Sequence, residues 1–248
     1  MTSESGALLE IRNLKKHFQV GGGMFGSMTG KKEYLKAVDG ISLTIEPGTT
    51  YGLVGESGCG KSTTAKMVLM LEEPTDGEIL YEGKDAINAD KEGKRHYKSS
   101  VQAVFQDPWA SLNPRMKVES IIAEPLEVNT TMTRGEIRSK VRDILEEVGL
   151  QEYQAELYPH EFSGGQRQRI GVARSLALNP KLIVLDEPVS ALDVSIRAQI
   201  MNLLMDLQKE HGLTYLLIAH HLATVRYLSL IHISEPTSRY AISYAVFC

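Results

Sequence analysis

The sequence predicts an α/β fold: a mixed central sheet with an antiparallel β edge subdomain and a helical subdomain. Three observations predict it. Short apolar runs at Thr50 to Val54, Leu182 to Leu185 and Thr214 to Ala219 are separated by helical patterns, as in a sheet covered on its faces. Leu8 to Leu14 and Lys36 to Ile45 instead alternate apolar and polar residues, the mark of half-exposed strands. From Val118 to about Leu178 the periodicity is helical throughout.

Taken in order, the two alternating strands form the antiparallel edge region, with a Gly-rich loop, Gly21 to Gly30, between them. The strand Thr50 to Val54 ends in glycines, and a helix follows from Gly60, carrying Ala65, Val68 and Leu69 and stopping near Pro74. A further strand pair is expected at Glu78 to Tyr81 and Val101 to Phe105, separated by Lys84 to Lys98, a charged stretch that reads as a solvated face or loop. In the middle third, Ile121 and Ile122, then Ile137, Val141, Ile144, Leu145 and Val148, fall at helical spacing, and Gly149 closes the run. Leu182 to Leu185 suits a central parallel strand, followed by a helix near Val194 to Glu210 and the strand Thr214 to Ala219. There is no internal repeat and no duplicated motif set.

The 248 residues, 42% hydrophobic and 23% charged, are enough for one large domain with a substantial core. With 27 basic and 31 acidic side chains the net charge is −4, which argues against a chain built to coat nucleic acid. Cys59 and Cys248 supply neither a disulfide framework nor a zinc-ligand pair, so a reducing compartment such as the cytosol is expected. No apolar run approaches the roughly 20 residues that span a bilayer, and Met1 to Gly6 lacks the basic and apolar regions of a secretory signal.

Gly55-Glu56-Ser57-Gly58-Cys59-Gly60-Lys61-Ser62 fits G-x-x-x-x-G-K-[ST], placed after a strand and opening a helix that continues with Thr63. Glycines let successive backbone N–H groups converge on phosphate oxygens, and the helix N-terminus adds a partial charge of about +0.5. Lys61 is expected to reach the β and γ phosphates, and the Ser62 hydroxyl to ligate Mg²⁺. Cys59 sits near a helix N-terminus, where thiolate is favoured, but a redox role is the lesser reading. Leu182-Ile183-Val184-Leu185-Asp186-Glu187 adds an apolar strand ending in paired carboxylates: Asp186 to hold Mg²⁺ through water, Glu187 to polarise the attacking water. No Asn-Lys-x-Asp guanine-reading motif is present. His160-Glu161 starts like a zinc-protease helix, but Gly164 stands where that motif requires its second His, so metal binding there is rejected.

Ser163-Gly164-Gly165-Gln166-Arg167-Gln168-Arg169 resembles the signature of ATP-binding cassette (ABC) ATPases, a branch of the P-loop NTPases. The resemblance implies that Ser163, Gly164, Gly165 and Gln166 face the γ phosphate bound to an opposite subunit. A lone Ser-Gly-Gly is otherwise read as a helix cap. Ser190-Ala191-Leu192-Asp193 is similar to the family's D-loop, which crosses the dimer interface. Gln106 is similar to the Q-loop residue linking Mg²⁺ and the attacking water to the transporter contact surface, and His220 to the switch histidine at the γ phosphate. Phe18 sits where the family places an aromatic that stacks on adenine. His221 departs from the pattern, because the family usually has Asp there, and this departure is expected to weaken the positioning of His220 without removing it.

Phe105-Gln106-Asp107-Pro108-Trp109-Ala110-Ser111-Leu112-Asn113-Pro114-Arg115-Met116 and Tyr158-Pro159-His160-Glu161-Phe162 resemble the oligopeptide and dipeptide importer subfamily, to which nickel importers are similar. This implies an ATPase on the cytoplasmic face of the membrane, peripherally bound. Its implied partners are a second, non-identical ATPase subunit, two membrane permeases and, indirectly, an extracytoplasmic peptide-binding protein. The implied cofactors are ATP and Mg²⁺. One motif set per chain implies catalysis by a dimer. A soluble ABC ATPase of DNA repair or translation is the alternative, but the long coiled coil or second cassette typical of those proteins is missing from this sequence. An inactive fragment is a further alternative.

The resemblance covers about Leu8 to Leu228, so residues 1–229 are expected to form the nucleotide-binding domain, with residues 117–178 as its helical subdomain. After Ser229 the expected Asp and further strands are replaced. Leu228 to Thr237 resembles a translated transposase-based sequencing adapter, and Ile242 to Cys248 resembles the flow-cell end of the same sequence. Ser238 to Ala241 fills the space of a variable index, although the adapter would give Arg rather than Ser at position 238. Residues 230–248 are therefore expected to be a non-native tail on a cassette truncated before its last strands.

Overall fold

The computed structural model describes residues 6–20, 33–219 and 242–247. β1 (Leu9–Val20) and β2 (Glu33–Ile45) form a long antiparallel ladder, from Leu9 opposite Ile45 to Val20 opposite Glu33. The ladder runs beyond the alternating segments expected from sequence, and the predicted loop Gly21 to Gly30 lies outside the described residues. β4 (Asp76–Tyr81) pairs with the other side of β1, and the short β5 (Lys84–Asp85) folds back on β4. This gives a four-stranded sheet in the order β2-β1-β4-β5.

The second sheet contains β3 (Thr50–Gly55), β6 (Val101–Val104), β7 (Leu182–Asp186), β8 (Thr214–Ala219) and β9 (Ile242–Phe247), ordered β6-β7-β8-β3-β9. All its described pairings are parallel. The mixture of parallel and antiparallel strands is thus a division between two sheets. The expected pairing of Glu78 to Tyr81 with Val101 to Phe105 is corrected, since these strands lie in different sheets. Their separation follows from α2 (Lys91–Ser100), which carries the chain from one sheet to the other.

That helix also corrects the loop reading of Lys84 to Lys98. Asp90 caps it by accepting from the Gly93 N–H at 2.8 Å. Tyr97 is buried, stacks edge-on against Tyr81 at 5.2 Å between centroids and donates its hydroxyl to the Val68 carbonyl at 2.6 Å. A single large buried side chain anchors an otherwise polar helix, so no set of apolar residues marks it in the sequence.

Alternate residues of the central strands feed separate cores. Ile183, Leu185, Tyr215 and Leu217 pack with the helical elements α4 (Val118–Asn129), α5 (Arg134–Glu147), α6 (Gly164–Leu176) and α7 (Val194–His211). Leu182, Val184, Leu216 and Ile218 pack with β1, β2, β4, α2 and α1 (Lys61–Val68). Burial on both faces explains why these strands read as unbroken apolar runs rather than alternating ones. Thr133 and Glu136 form a capping box at the start of α5, and Gly149, in the left-handed region at φ 71°, follows its end as expected. Two short 3₁₀ turns, Glu152–Glu156 and Pro159–Glu161, lead into α6.

Among the described residues no helix is long and apolar enough to cross a membrane. The outer edge of β3 is taken by β9, from Thr50 opposite Ile242 to Gly55 opposite Phe247. An open strand edge accepts an extended apolar segment through backbone hydrogen bonds alone, so this pairing makes no demand on where the segment comes from.

Candidate functional site

Because β7, β8 and β3 are adjacent and parallel, their C-terminal ends lie side by side. Val54 is in register with Ala219, and Asp186 with Ile218. With neighbouring strands about 4.8 Å apart, the Gly55 to Ser62 loop and the Asp186-Glu187 pair share one rim of the sheet. His220 and His221 follow β8 directly but lie outside the described residues.

The loop is shaped by backbone that only glycine adopts freely. Gly58 and Gly60 have φ values of 85° and 100°. A side chain at Gly60 would place its Cβ 2.4 Å from the Ala37 carbonyl oxygen, so β2 approaches the loop here too closely for any other residue. The Lys61 side chain is buried, and its Nζ donates to the Gly55 and Glu56 carbonyls at 2.8 and 2.7 Å and approaches Cys59 Sγ at 3.6 Å. The ammonium therefore sits inside the loop whose N–H groups are expected to hold phosphate. Ser62 and Thr63 lie in the first turn of α1 with at least partly accessible side chains, and Thr64 is turned inward, donating to the Gly60 carbonyl at 3.1 Å.

Phe18 is not a core residue. The residue is 36% exposed, with Lys16 Nζ 5.0 Å from the ring centroid. It faces Leu35 across the β1-β2 ladder, two residues from the Ala37 that touches the phosphate loop. Nearby, hydrogen bonds from Lys36 and then His17 hold the Asp39 carboxyl below the usual carboxylate range.

Glu187 follows β7 in the left-handed region at φ 48° and is 8% exposed. Such backbone is costly for a non-glycine residue and persists where surrounding bonds impose it. Here the Glu187 N–H donates to the Ile218 carbonyl at 3.0 Å, and its own carbonyl accepts from the Ser190 N–H at 3.2 Å and hydroxyl at 3.1 Å. Asp186, at the end of β7, is half-buried beside it.

Gln106 is exposed just beyond β6. The residues after it turn into the short α3 (Pro108–Ser111), and α6 holds this segment at several points. Gln168 lies within 3.5 Å of the Phe105 carbonyl, Arg174 donates to the Ser111 carbonyl at 3.1 Å, and the Arg167 guanidinium lies 4.0 Å from the Trp109 ring centroid. These ties were not read from sequence. A groove lined by Leu71, Gln102, Phe105, Leu112, Gln168 and Arg174 opens beside Gln106.

Ser163 does cap a helix. Its hydroxyl accepts from the Gln166 N–H at 3.3 Å, and the Gln166 side-chain carbonyl accepts from the Ser163 N–H at 3.0 Å. Gly165 is required by close packing, because a Cβ there would fall 2.5 Å from Ile196 Cγ2; one at Gly164 would meet Leu192 at 3.4 Å. The Ser163 to Gln166 segment and the Ser190 to Asp193 segment thus pack together. Ser163 and Asp193 are exposed, and Val194 is 80% exposed. α1 belongs to the core on one face of the sheet and α6 to the core on the other. The chain divides its sequence-predicted residues accordingly: Gly55 to Thr63, Asp186 and Glu187 share the sheet rim, while Ser163 and Asp193 are exposed at the starts of α6 and α7, with Gly165 buried between these helices.

A family model described as ABC transporter matches residues 38–190. The oligopeptide transport ATP-binding protein AppF of Bacillus subtilis is 51% identical over 223 residues, which are 90% of this chain and 67% of that protein. The dipeptide transport ATP-binding protein DppF of Haemophilus influenzae is 50% identical over 226 residues, 91% of this chain and 68% of that protein. The chain spans about two thirds of the length of these relatives. Among solved structures, a dimeric post-hydrolysis state of the ATP-binding cassette MJ0796, bound to ADP and Pi, aligns with TM-score 0.75 at 29% identity over 88% of this chain and 90% of that one. The protein cbiO1 of Clostridium perfringens, part of an ABC transporter complex, aligns with TM-score 0.74 at 28% identity over 90% and 82%.

Proposed function

The chain belongs to the ABC transporter family, and from that premise we propose that it binds and hydrolyses ATP to energise peptide import as half of an ATPase dimer. The observation that supports this most directly is the division of the site. The phosphate loop and the Asp186-Glu187 pair share one rim of the sheet, whereas Ser163, which heads the signature, is exposed at the start of α6, a helix of the opposite core. One chain then offers a nucleotide site and, separately, the part that completes a partner's site. The chain's similarity to oligopeptide and dipeptide transport ATP-binding proteins favours import of oligopeptides or dipeptides over a soluble repair or translation role.

In this reading the loop N–H groups and Lys61 hold the ATP phosphates, and Phe18 supplies a face for adenine. Glu187 accepts a proton from the attacking water, and its imposed backbone keeps the carboxylate from relaxing away. His220, as the family resemblance implies, contacts the γ phosphate. Mg²⁺ fits the residues present: Ser62 has an accessible hydroxyl position at the loop's end, Asp186 ends a strand at the same rim, and Gln106 is exposed after β6. Among the described residues no group of three His, Cys, Asp or Glu side chains suits a metal by itself, so the ion would be held jointly with phosphate oxygens, as is usual for Mg²⁺. It would neutralise charge on the β and γ phosphates. The groove beside Gln106 is the surface we assign to the permeases, and a peripheral position on the cytoplasmic face of the membrane is part of the same proposal. An extracytoplasmic peptide-binding protein would act through those permeases.

Hydrolysis is expected to require the partner ATPase. Phosphate release by this chain titrated with that subunit should rise and saturate with dimer formation. A rate equal to that of the full complex from the isolated chain, independent of concentration, would overturn the dimer reading.

We also propose that residues 1–229 belong to the nucleotide-binding domain, with about residues 117–178 as its helical subdomain, and that residues 230–248 are adapter-derived. The support for the tail is its match to translated adapter sequence on both sides of an index-sized gap. Long-read sequencing of the source DNA should show a different continuation after Ser229, and the same tail in uninterrupted genomic sequence would refute it.

A further inference from the structure

Arg197 lies in the first turn of α7, just past the Ser190 to Asp193 loop. Its guanidinium reaches back over that loop: Nε donates to the Leu192 carbonyl at 2.6 Å and Nη2 to the Ser190 carbonyl at 3.1 Å. Its own N–H donates to the Asp193 carbonyl at 2.8 Å. One residue therefore holds three carbonyls of a four-residue loop, two of them through a charged, planar fork whose donors are stiffly arranged.

The same loop determines the backbone of Glu187. Ser190 is bonded to the Glu187 carbonyl by both its N–H and its hydroxyl, and Glu187 sits at φ 48°, where a non-glycine residue stays only under constraint. A continuous set of bonds runs from the Arg197 guanidinium through Ser190 to the strained peptide of Glu187. The loop also packs on the signature, since Leu192 and Ile196 lie against Gly164 and Gly165.

We propose that Arg197 is a positioning residue for ATP hydrolysis, which clamps the Ser190 to Asp193 loop and through Ser190 keeps Glu187 in its left-handed conformation. The proposal rests on the reading of Glu187 as the residue that polarises water. Arg197 bonds to the carbonyls of its own loop and lies outside the phosphate loop. Its loss should therefore slow turnover without weakening ATP binding, because the phosphate loop lies on another helix.

The test uses the chain assembled with its partner ATPase and permeases, comparing Arg197→Met, Arg197→Lys and Glu187→Gln. Arg197→Met keeps side-chain length and helix propensity but removes both donors. It should lower kcat about tenfold while leaving the ATP KM within about twofold and the melting temperature unchanged. Arg197→Lys restores one donor and should fall between Arg197→Met and the parent. Parental kcat in Arg197→Met, a KM that rises in step with the loss, or Arg197→Lys no better than Arg197→Met would each overturn the clamp. Glu187→Gln separates the two levels. If it hydrolyses ATP at the parental rate, the Glu187 reading fails; if it is inactive while Arg197→Met is unaffected, only the positioning role fails.

Discussion

Glu187→Gln is expected to bind ATP as tightly as the parent and to hydrolyse it at least about 100-fold more slowly, the range in which a positioned general base contributes. The amide is nearly the same size as the carboxylate. The backbone bonds that impose the Glu187 conformation, to Ile218 and Ser190, do not involve its side chain. What disappears is the ability to take a proton. Lys61→Ala should give the opposite phenotype. Lys61 Nζ is buried between the Gly55 and Glu56 carbonyls, so its removal deletes the cation of the phosphate loop and leaves two carbonyls without that donor. Loss of such charge-assisted contacts should weaken ATP binding by roughly tenfold to a hundredfold. Equilibrium binding of labelled ATP, measured beside phosphate release in the partnered complex, separates the two. Equal loss of binding in both variants would defeat the assignment of roles.

Ser163→Arg is expected to silence the site whose ATP sits on the partner subunit, but that substitution alone confuses two effects. Ser163 also caps α6, and losing a cap costs about 1 kcal/mol. Ser163→Asp distinguishes them. Aspartate is an equally good cap, so the melting temperature should stay close to the parent's, while its negative charge would face the γ phosphate at short range. The expected result is a stable complex whose partner-held site loses hydrolysis by roughly 100-fold or more. To read that site alone, the variant is combined with Glu187→Gln, which silences the ATP held on this chain. If Ser163→Asp hydrolysed normally there, Ser163 would be only a helix cap.

Much of the molecule was legible because strong local signals carried it. The phosphate loop could be placed from a strand, its glycines and the helix after it. The structure adds the reason Gly60 is irreplaceable, which is a carbonyl of β2 rather than the phosphate cradle alone. Leu182 to Leu185 and Thr214 to Ala219 read correctly as central strands because both of their faces are buried. α2 was missed because Tyr97 is its one large buried side chain, so no run of apolar residues marks it; Tyr97 holds it to the core and Asp90 caps its start. Tyr81 and Val101 looked like members of neighbouring strands, but a sequence does not state which sheet a strand joins.

By itself, the sequence determined which local elements carry the candidate site residues: the glycine-rich Gly55 to Ser62 loop between a strand and a helix, Asp186 and Glu187 at a strand end, and Ser163 to Gln166 at the start of a helix. Each is a local pattern in which residue type and spacing suffice. Only the tertiary structure decided the order β7-β8-β3, which brings the loop and the carboxylates to one rim, and the placement of the signature on the opposite core. It alone showed Ser190 and Arg197 holding the backbone around Glu187. Strand order and such clamps depend on contacts between distant segments or on the path of a loop. Their energies come from burial and hydrogen bonds that exist only once the chain is packed, so no local pattern announces them.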